Sequence, residues 1–378
     1  MADTIKNGSF EVTSFKVGNA DCKIYLGDTL LYPHSTPPTV KNYFRFISKG
    51  IGTFTFFANG ADSGNTLSYS LDSGSTWTQL GNGVPTPSVS NGDVIMWKGS
   101  NHTLGTNGIG TFSSTTNFDV AGNAMSLHYG DNFENETSLS GKDYAFKNLF
   151  SGCSSVIDAE NLELPATTLS NNCYQSMFIY AVNLTKVPKE LPATTLTEWC
   201  YANMYFQCSA VTSVASDYLP ATTLAPACYW SMFQYCSGLT SAMSSIPASN
   251  GGTPTLAASA CTNMFSRCKS LRTAPALPAT TLQIACYYNM FYQNISLTAS
   301  PVLPAPTLVQ DCYRQMFNGS SKLNTVTCLA TSGINTNGST TNWLSNTKTT
   351  GTFYRATNVS WPSGNSGRKS WTLVNYSG

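Results

Sequence analysis

Apolar side chains in the second half of the chain recur four residues apart within blocks that themselves recur. Blocks led by Leu-Pro-Ala-Thr-Thr or a close variant place leucines at Leu169, Leu196, Leu224, Leu256, Leu282 and Leu308, and spacings of 26 to 32 residues separate them. From each leucine the pattern steps in fours, as in Leu169, Cys173, Met177, Ala181 and Leu196, Cys200, Met204, Cys208. The third block keeps the register with Leu224, Cys228, Met232 and Cys236, and Ala145, Leu149 and Cys153 form a degenerate leading copy. A step of four drifts only about 40° round an α-helix, so the spacing predicts one short helix per block with a single buried stripe. Thr168, Thr195, Thr223 and Thr281 stand where an N-cap hydroxyl would, and Pro165, Pro192, Pro220 and Pro278 bar any helix from continuing backward. Burial of four side chains, about 1.5–3 kcal/mol each, falls short of ordering a whole block at about 1–2 kcal/mol per residue. Neighbouring coils must supply the remainder, which makes the blocks a solenoid.

Residues 41–140 carry a different period. Phe54 and Phe56 alternate with Thr, and Leu67, Tyr69 and Leu71 alternate with Ser, with Asn-Gly, Gly-Asn and Ser-Gly pairs between them. That is the pattern of short strands joined by turns, so a small sandwich or open sheet is expected there. The predicted fold is therefore mixed α+β. Residues 1–40 form an N-terminal attachment segment, 41–140 a β-sandwich-like domain, 141–330 the repeat solenoid and 331–378 a C-terminal cap over its last coil.

Composition narrows the chemistry. Twenty Lys and Arg balance 19 Asp and Glu, and only 10% of the 378 residues are charged, while Ser, Thr and Asn make up about a third. Nucleic acid and anionic membranes are captured through clustered basic faces, and this balance gives none. No apolar run is long enough to span a bilayer, and the opening Met-Ala-Asp-Thr-Ile-Lys lacks the basic and apolar regions of an export signal. The chain reads as one made and folded in the cytoplasm. Twelve cysteines without a Cys-x-x-Cys pair, and three histidines outside the Cys-rich region, favour buried thiols over zinc. No cofactor and no metal is expected.

Candidate chemistry is sparse. Ser70-Leu71-Asp72-Ser73-Gly74-Ser75-Thr76-Trp77 resembles the Asp box of sialidases and other β-propellers. A single copy reads as a hairpin turn rather than a glycosidase site. Asp131, Glu134 and Glu136 match no calcium loop and read as a solvated turn. No nucleophile–base pair, paired carboxylates or phosphate loop stands out, so no enzyme activity is expected. Tyr174, Tyr201, Tyr229, Tyr287 and Tyr313 each follow the Cys position, where they either pack between coils or form a ladder that stacks on sugar rings. Trp199 and Trp230 occupy non-equivalent positions and are the candidates for an exposed contact.

Met232-Phe233-Gln234-Tyr235-Cys236-Ser237-Gly238-Leu239-Thr240, with its counterparts across residues 141–330, resembles the BspA-like leucine-rich repeats of gut Bacteroidetes surface proteins and of phages that infect them. It differs in having Met where that family has Ala, and Pro-Ala-Thr-Thr where it has β-branched strand residues. Cys22-Lys23-Ile24-Tyr25-Leu26-Gly27-Asp28 resembles a short strand pair at the front of virion proteins of Bacteroides phages, including crAss-like phages. These resemblances imply a virion structural protein such as a head fibre or another capsid or tail appendage, released by lysis. It would hold capsid or fibre subunits through its front segment, form a homo-oligomer and adhere to a host surface glycan or protein. An exported bacterial leucine-rich-repeat adhesin is the alternative, and a glycan-active enzyme built round the Asp box is a second.

Overall fold

A computed structural model describes residues 41–58, 67–100, 108–248 and 255–377, together with four short strands ahead of them. The chain divides into two compact units, Met1–Lys41 and Asn42–Gly378. In the first, β1 (Lys16–Val17) pairs antiparallel with β2 (Ala20–Asp21), and β3 (Ile24–Leu26) with β4 (Thr29–Tyr32). The remainder of the expected attachment segment lies outside the described residues.

The second unit opens with β5 (Phe44–Ser48), β6 (Phe54–Ala58), β7 (Leu67–Ser70), β8 (Thr78–Leu80), β9 (Val94–Gly99), β10 (Gly110–Ser114) and β11 (Phe118–Asn123). A one-turn helix, α1 (Ser126–Tyr129), and a longer strand, β12 (Val156–Glu163), follow. A six-stranded sheet runs in the order β12-β11-β5-β9-β7-β8, antiparallel except for the parallel β11–β12 pair, and β10 with β6 makes a separate antiparallel pair. The two-residue period sends Phe44 and Phe46 of β5, and Phe54 and Phe56 of β6, into one interior. Phe46 lies 4.9 Å from Phe112 and 4.6 Å from Phe118, centroid to centroid. Because β12 already belongs to the first coil, the β-region and the repeats share one sheet and one hydrophobic core.

The expected mixed α+β fold, with a helix in every block, is overturned. The structure is nearly all β, and α1 is the one α-helix among the described residues. Each block is instead a run of tight turns in which every fourth residue adopts a left-handed backbone. Asn172, Ser176 and Tyr180 have φ of 59°, 56° and 63°, and Trp199, Asn203 and Gln207 repeat this in the next coil at 57°, 56° and 61°. Backbone donors alternate in destination. The N–H groups of Gln175, Met177 and Ile179 bond back three residues within their own coil. Those of Tyr174, Ser176, Phe178 and Tyr180 bond across to the carbonyls of Cys200, Ala202, Met204 and Phe206 at 2.8–2.9 Å. One left-handed residue in four returns the chain to the same heading, so Leu169, Cys173, Met177 and Ala181 all face inward without the drift an α-helix would impose.

The supposed cap threonines do other work. Thr195 bridges in parallel to Thr223, Thr223 in turn to Thr255 of the next coil, and Thr168 to Ser138. Toward the C-terminus this pairing widens into a parallel sheet of β13 (Ala299–Leu303), β14 (Thr325–Cys328), β15 (Thr352–Arg355) and β16 (Thr372–Asn375). Among the described residues, no helix is long and apolar enough to cross a membrane.

Two aromatic columns run through the stack. Phe150, Phe178, Tyr205, Phe233, Phe265, Phe291 and Phe317 lie ring on ring with centroids 5.1–5.8 Å apart. Phe146, Tyr174, Tyr201 and Tyr229 make the second column, which resumes beyond Cys261 at Tyr287 and Tyr313 and ends on Trp343 and Trp361. The last cysteine of a block ties coils together: Cys208, Cys236 and Cys268 each donate Sγ–H to a carbonyl of the preceding coil at 3.0 Å. Ser320 makes the same bond with its hydroxyl at 2.8 Å. Small polarisable thiols fit between close backbones where a longer side chain would force them apart.

Candidate binding face

Each four-residue step sends two side chains inward and places the other two, the left-handed residue and the one before it, on the turn face, where small ones such as Ala202, Ala227 and Ser231 are covered by their neighbours. The outward pairs of successive coils align and make the turn face of the stack. On it, Tyr180 meets Phe206 edge to face at 5.5 Å, and Phe206 meets Tyr235 at 5.3 Å. The guanidinium of Arg267 then lies 5.0 Å from the Tyr235 ring and 5.7 Å from the Tyr292 ring. Five consecutive coils thus contribute one side chain each to a half-exposed row. A second row is interrupted: Trp199 and Trp230 meet, the next coil places buried Thr262 at the Trp230 position, and Tyr288 and Arg314 follow, with Arg314 5.8 Å over Tyr288 and paired to Asp311 at 3.3 Å. Left-handed amide residues, Asn203, Asn263, Asn289 and Gln315, lie between the rows. Half-buried rings flanked by amide donors and acceptors can stack on the apolar faces of sugars and hydrogen-bond their hydroxyls.

The seven residues singled out from the sequence divide sharply. Tyr174, Tyr201, Tyr229, Tyr287 and Tyr313 are each about 1% exposed and form the inner column, so none of them offers a ring to a ligand. Burial pushes their hydroxyls well above the usual tyrosine range. Trp199 and Trp230 are half-buried on the turn face, and although their repeat positions differ the fold brings them together at 5.4 Å. Trp199 also donates its indole N–H to Glu198 Oε1 at 3.1 Å. Sequence reasoning missed Tyr180, Phe206, Tyr235, Arg267 and Tyr292. The available signal was their place two or three residues after the block's methionine, off the buried four-residue stripe.

The polar clusters elsewhere are internally satisfied. Asp72 accepts hydrogen bonds from Ser70 Oγ, Thr76 N and Thr76 Oγ1 at 2.7–2.8 Å, so the Asp-box segment is the turn between β7 and β8. Those bonds, the Thr76 hydroxyl first, hold the Asp72 carboxyl at about 2. Asp131 receives the Tyr43 hydroxyl at 2.5 Å and Lys98 Nζ at 2.9 Å, and Lys98 itself lies 4.3 Å over Trp77. Burial, and then this carboxylate, raises the Tyr43 hydroxyl above its usual range. Eleven cysteines are buried free thiols, and among the described residues no three His, Cys, Asp or Glu side chains gather into a metal-ligating set.

Set against known proteins, the chain matches no family, no curated protein and no solved structure.

Proposed function

We propose that the protein is a non-catalytic binding subunit of a phage particle, a head fibre or similar capsid or tail appendage, that adheres to cell-surface glycans through its turn face. The observation that carries the adhesion reading is the row of half-exposed side chains over five successive coils, four aromatic rings and the Arg267 guanidinium, with amides beside it. A single ring–sugar contact is weak. Rows of them on a homo-oligomer displayed in many copies act by avidity, so each coil needs little intrinsic affinity. The virion assignment rests on the likeness of the front segment to phage virion proteins, and in it that segment docks the other virion subunits. The same face would serve an exported adhesin, and the site of the protein separates the two. Mass spectrometry of purified phage particles, with antibody labelling to place the protein on them, tests the assignment. Its absence from particles ends the virion reading. A glycan array probed with the full chain tests adhesion, and no binding to any glycan ends that reading.

A further inference from the structure

Charge is distributed unevenly along the stack. Between Asp217 and Asp311 the chain contains no Asp or Glu, and its only charged residues there are Arg267, Lys269 and Arg272, all in one coil. In a chain with 20 cations and 19 anions this makes a cationic band with no internal counter-charge. Lys269 and Arg272 are exposed, and Arg272 lines a slot of about 580 Å³ between its coil and the next, together with Thr298 and Ser300.

Arg267 is the built part of the band. Its guanidinium lies over two tyrosine rings, one from the preceding coil and one from the following coil. Stacking restrains the group and partly strips its water, while its N–H edge stays free to donate. Arg314 on the same face already has the Asp311 carboxylate, whereas Arg267 has no carboxylate partner among the described residues. Its backbone is also left-handed, with φ of 64°, a conformation in which arginine has no advantage over glycine or asparagine.

We propose that this coil is a specificity site for an acidic polysaccharide, with a sugar-ring carboxylate held by the Arg267 guanidinium and the neighbouring rings stacked on Tyr235 and Tyr292. Guanidinium and carboxylate match as a two-pronged, charge-assisted pair. The flanking aromatics select a sugar backbone over other anions, and Lys269 and Arg272 extend the positive field along the coil. The assignment rests on the adhesion reading and adds the ligand's charge to it.

The test is affinity electrophoresis and calorimetry of the full chain against four probes: polygalacturonate, alginate, fully methyl-esterified polygalacturonate and poly-glutamate. The expected result is binding of at least one of the two uronates, weakened by salt, with the ester and poly-glutamate binding about tenfold less. Arg267→Gln is expected to remove that preference, Arg267→Lys to keep part of it, and Tyr235→Ala to weaken uronate binding with no change in melting behaviour beyond a few degrees. Equal binding of ester and uronate, or no effect of Arg267→Gln, overturns the site while leaving adhesion standing. Binding of poly-glutamate as tight as of the uronates overturns the sugar component. If none of the four probes binds, the specificity site falls. The array then decides adhesion separately.

Discussion

Trp199 and Trp230 stand in adjacent coils at different repeat positions, yet their rings meet with centroids 5.4 Å apart and planes inclined by 34°. The counterpart of Trp199 in the next coil is Ala227, and that of Trp230 in the previous coil is Ala202; both are small and buried, which leaves each indole room to lean across. Trp199→Ala and Trp230→Ala should each lower glycan affinity about tenfold, as loss of a central tryptophan typically does. Because both rings are half-exposed, the urea midpoint should barely move. A large loss of stability with unchanged binding would assign the pair to packing alone.

Asn263 distinguishes the turn ladder from a helix. It has φ of 59°, so Asn263→Val should cost about 1–2 kcal/mol, whereas Asn263→Gly should be nearly neutral. In a helix the order would reverse, glycine being the worse residue by several tenths of a kcal/mol. Urea unfolding of the two variants measures the difference.

That contrast also marks what could be read from the chain. Leucine, cysteine and methionine positions four apart named side chains that are indeed all buried, because inward packing demands the same residue types whatever backbone carries them. Four lies close to the 3.6-residue helical period, and over three steps the two are hard to separate by hydrophobicity. Asparagine at 172, 203, 263 and 289 was the available clue, since it tolerates the left-handed region better than most residues. On the face itself the rows were illegible. Tyr180, Phe206 and Tyr235 align only once the coils are stacked, and the register between coils of unequal length comes from backbone bonds rather than from spacing.

Asn294 sits fully buried at the position that Cys208, Cys236 and Cys268 occupy in earlier coils, and neither its amide oxygen nor its amide nitrogen has a hydrogen-bond partner. Asn294→Cys should raise stability by about 1–2 kcal/mol, by relieving the unpaired amide and adding a thiol bond to the preceding coil. Chemical denaturation at fixed pH checks this, and a lower midpoint refutes it.

Burial pushes the Cys153 thiol to about 11 and those of Cys200 and Cys328 to about 12. At pH 8 about one Cys153 molecule in a thousand carries a thiolate, and fewer at the other two. Native alkylation by iodoacetamide should therefore be slow at these residues and become fast in urea, as read by peptide mass spectrometry.

Asp72 has its carboxyl held at about 2, below the ordinary 3.8, by bonds that its charged form accepts. A depressed folded value stabilises the hairpin above pH ~4, and this contribution is lost as pH falls through about 2. Carboxyl-carbon NMR should show a midpoint near 2 for this residue. Asp72→Asn should flatten the acid dependence of amide protection at Thr76 over that window.

Coil joins coil through main-chain bonds that make no reference to which block comes next. Insertion of one more block at a Leu-Pro-Ala-Thr-Thr boundary would extend the stack by a single strand spacing, about 4.8 Å, and leave the bonds of every other coil unaltered. The number of rings on display is then set by the number of blocks, each of which adds one coil. A lineage can then lengthen or shorten its grip in whole steps, without having to re-evolve an interior.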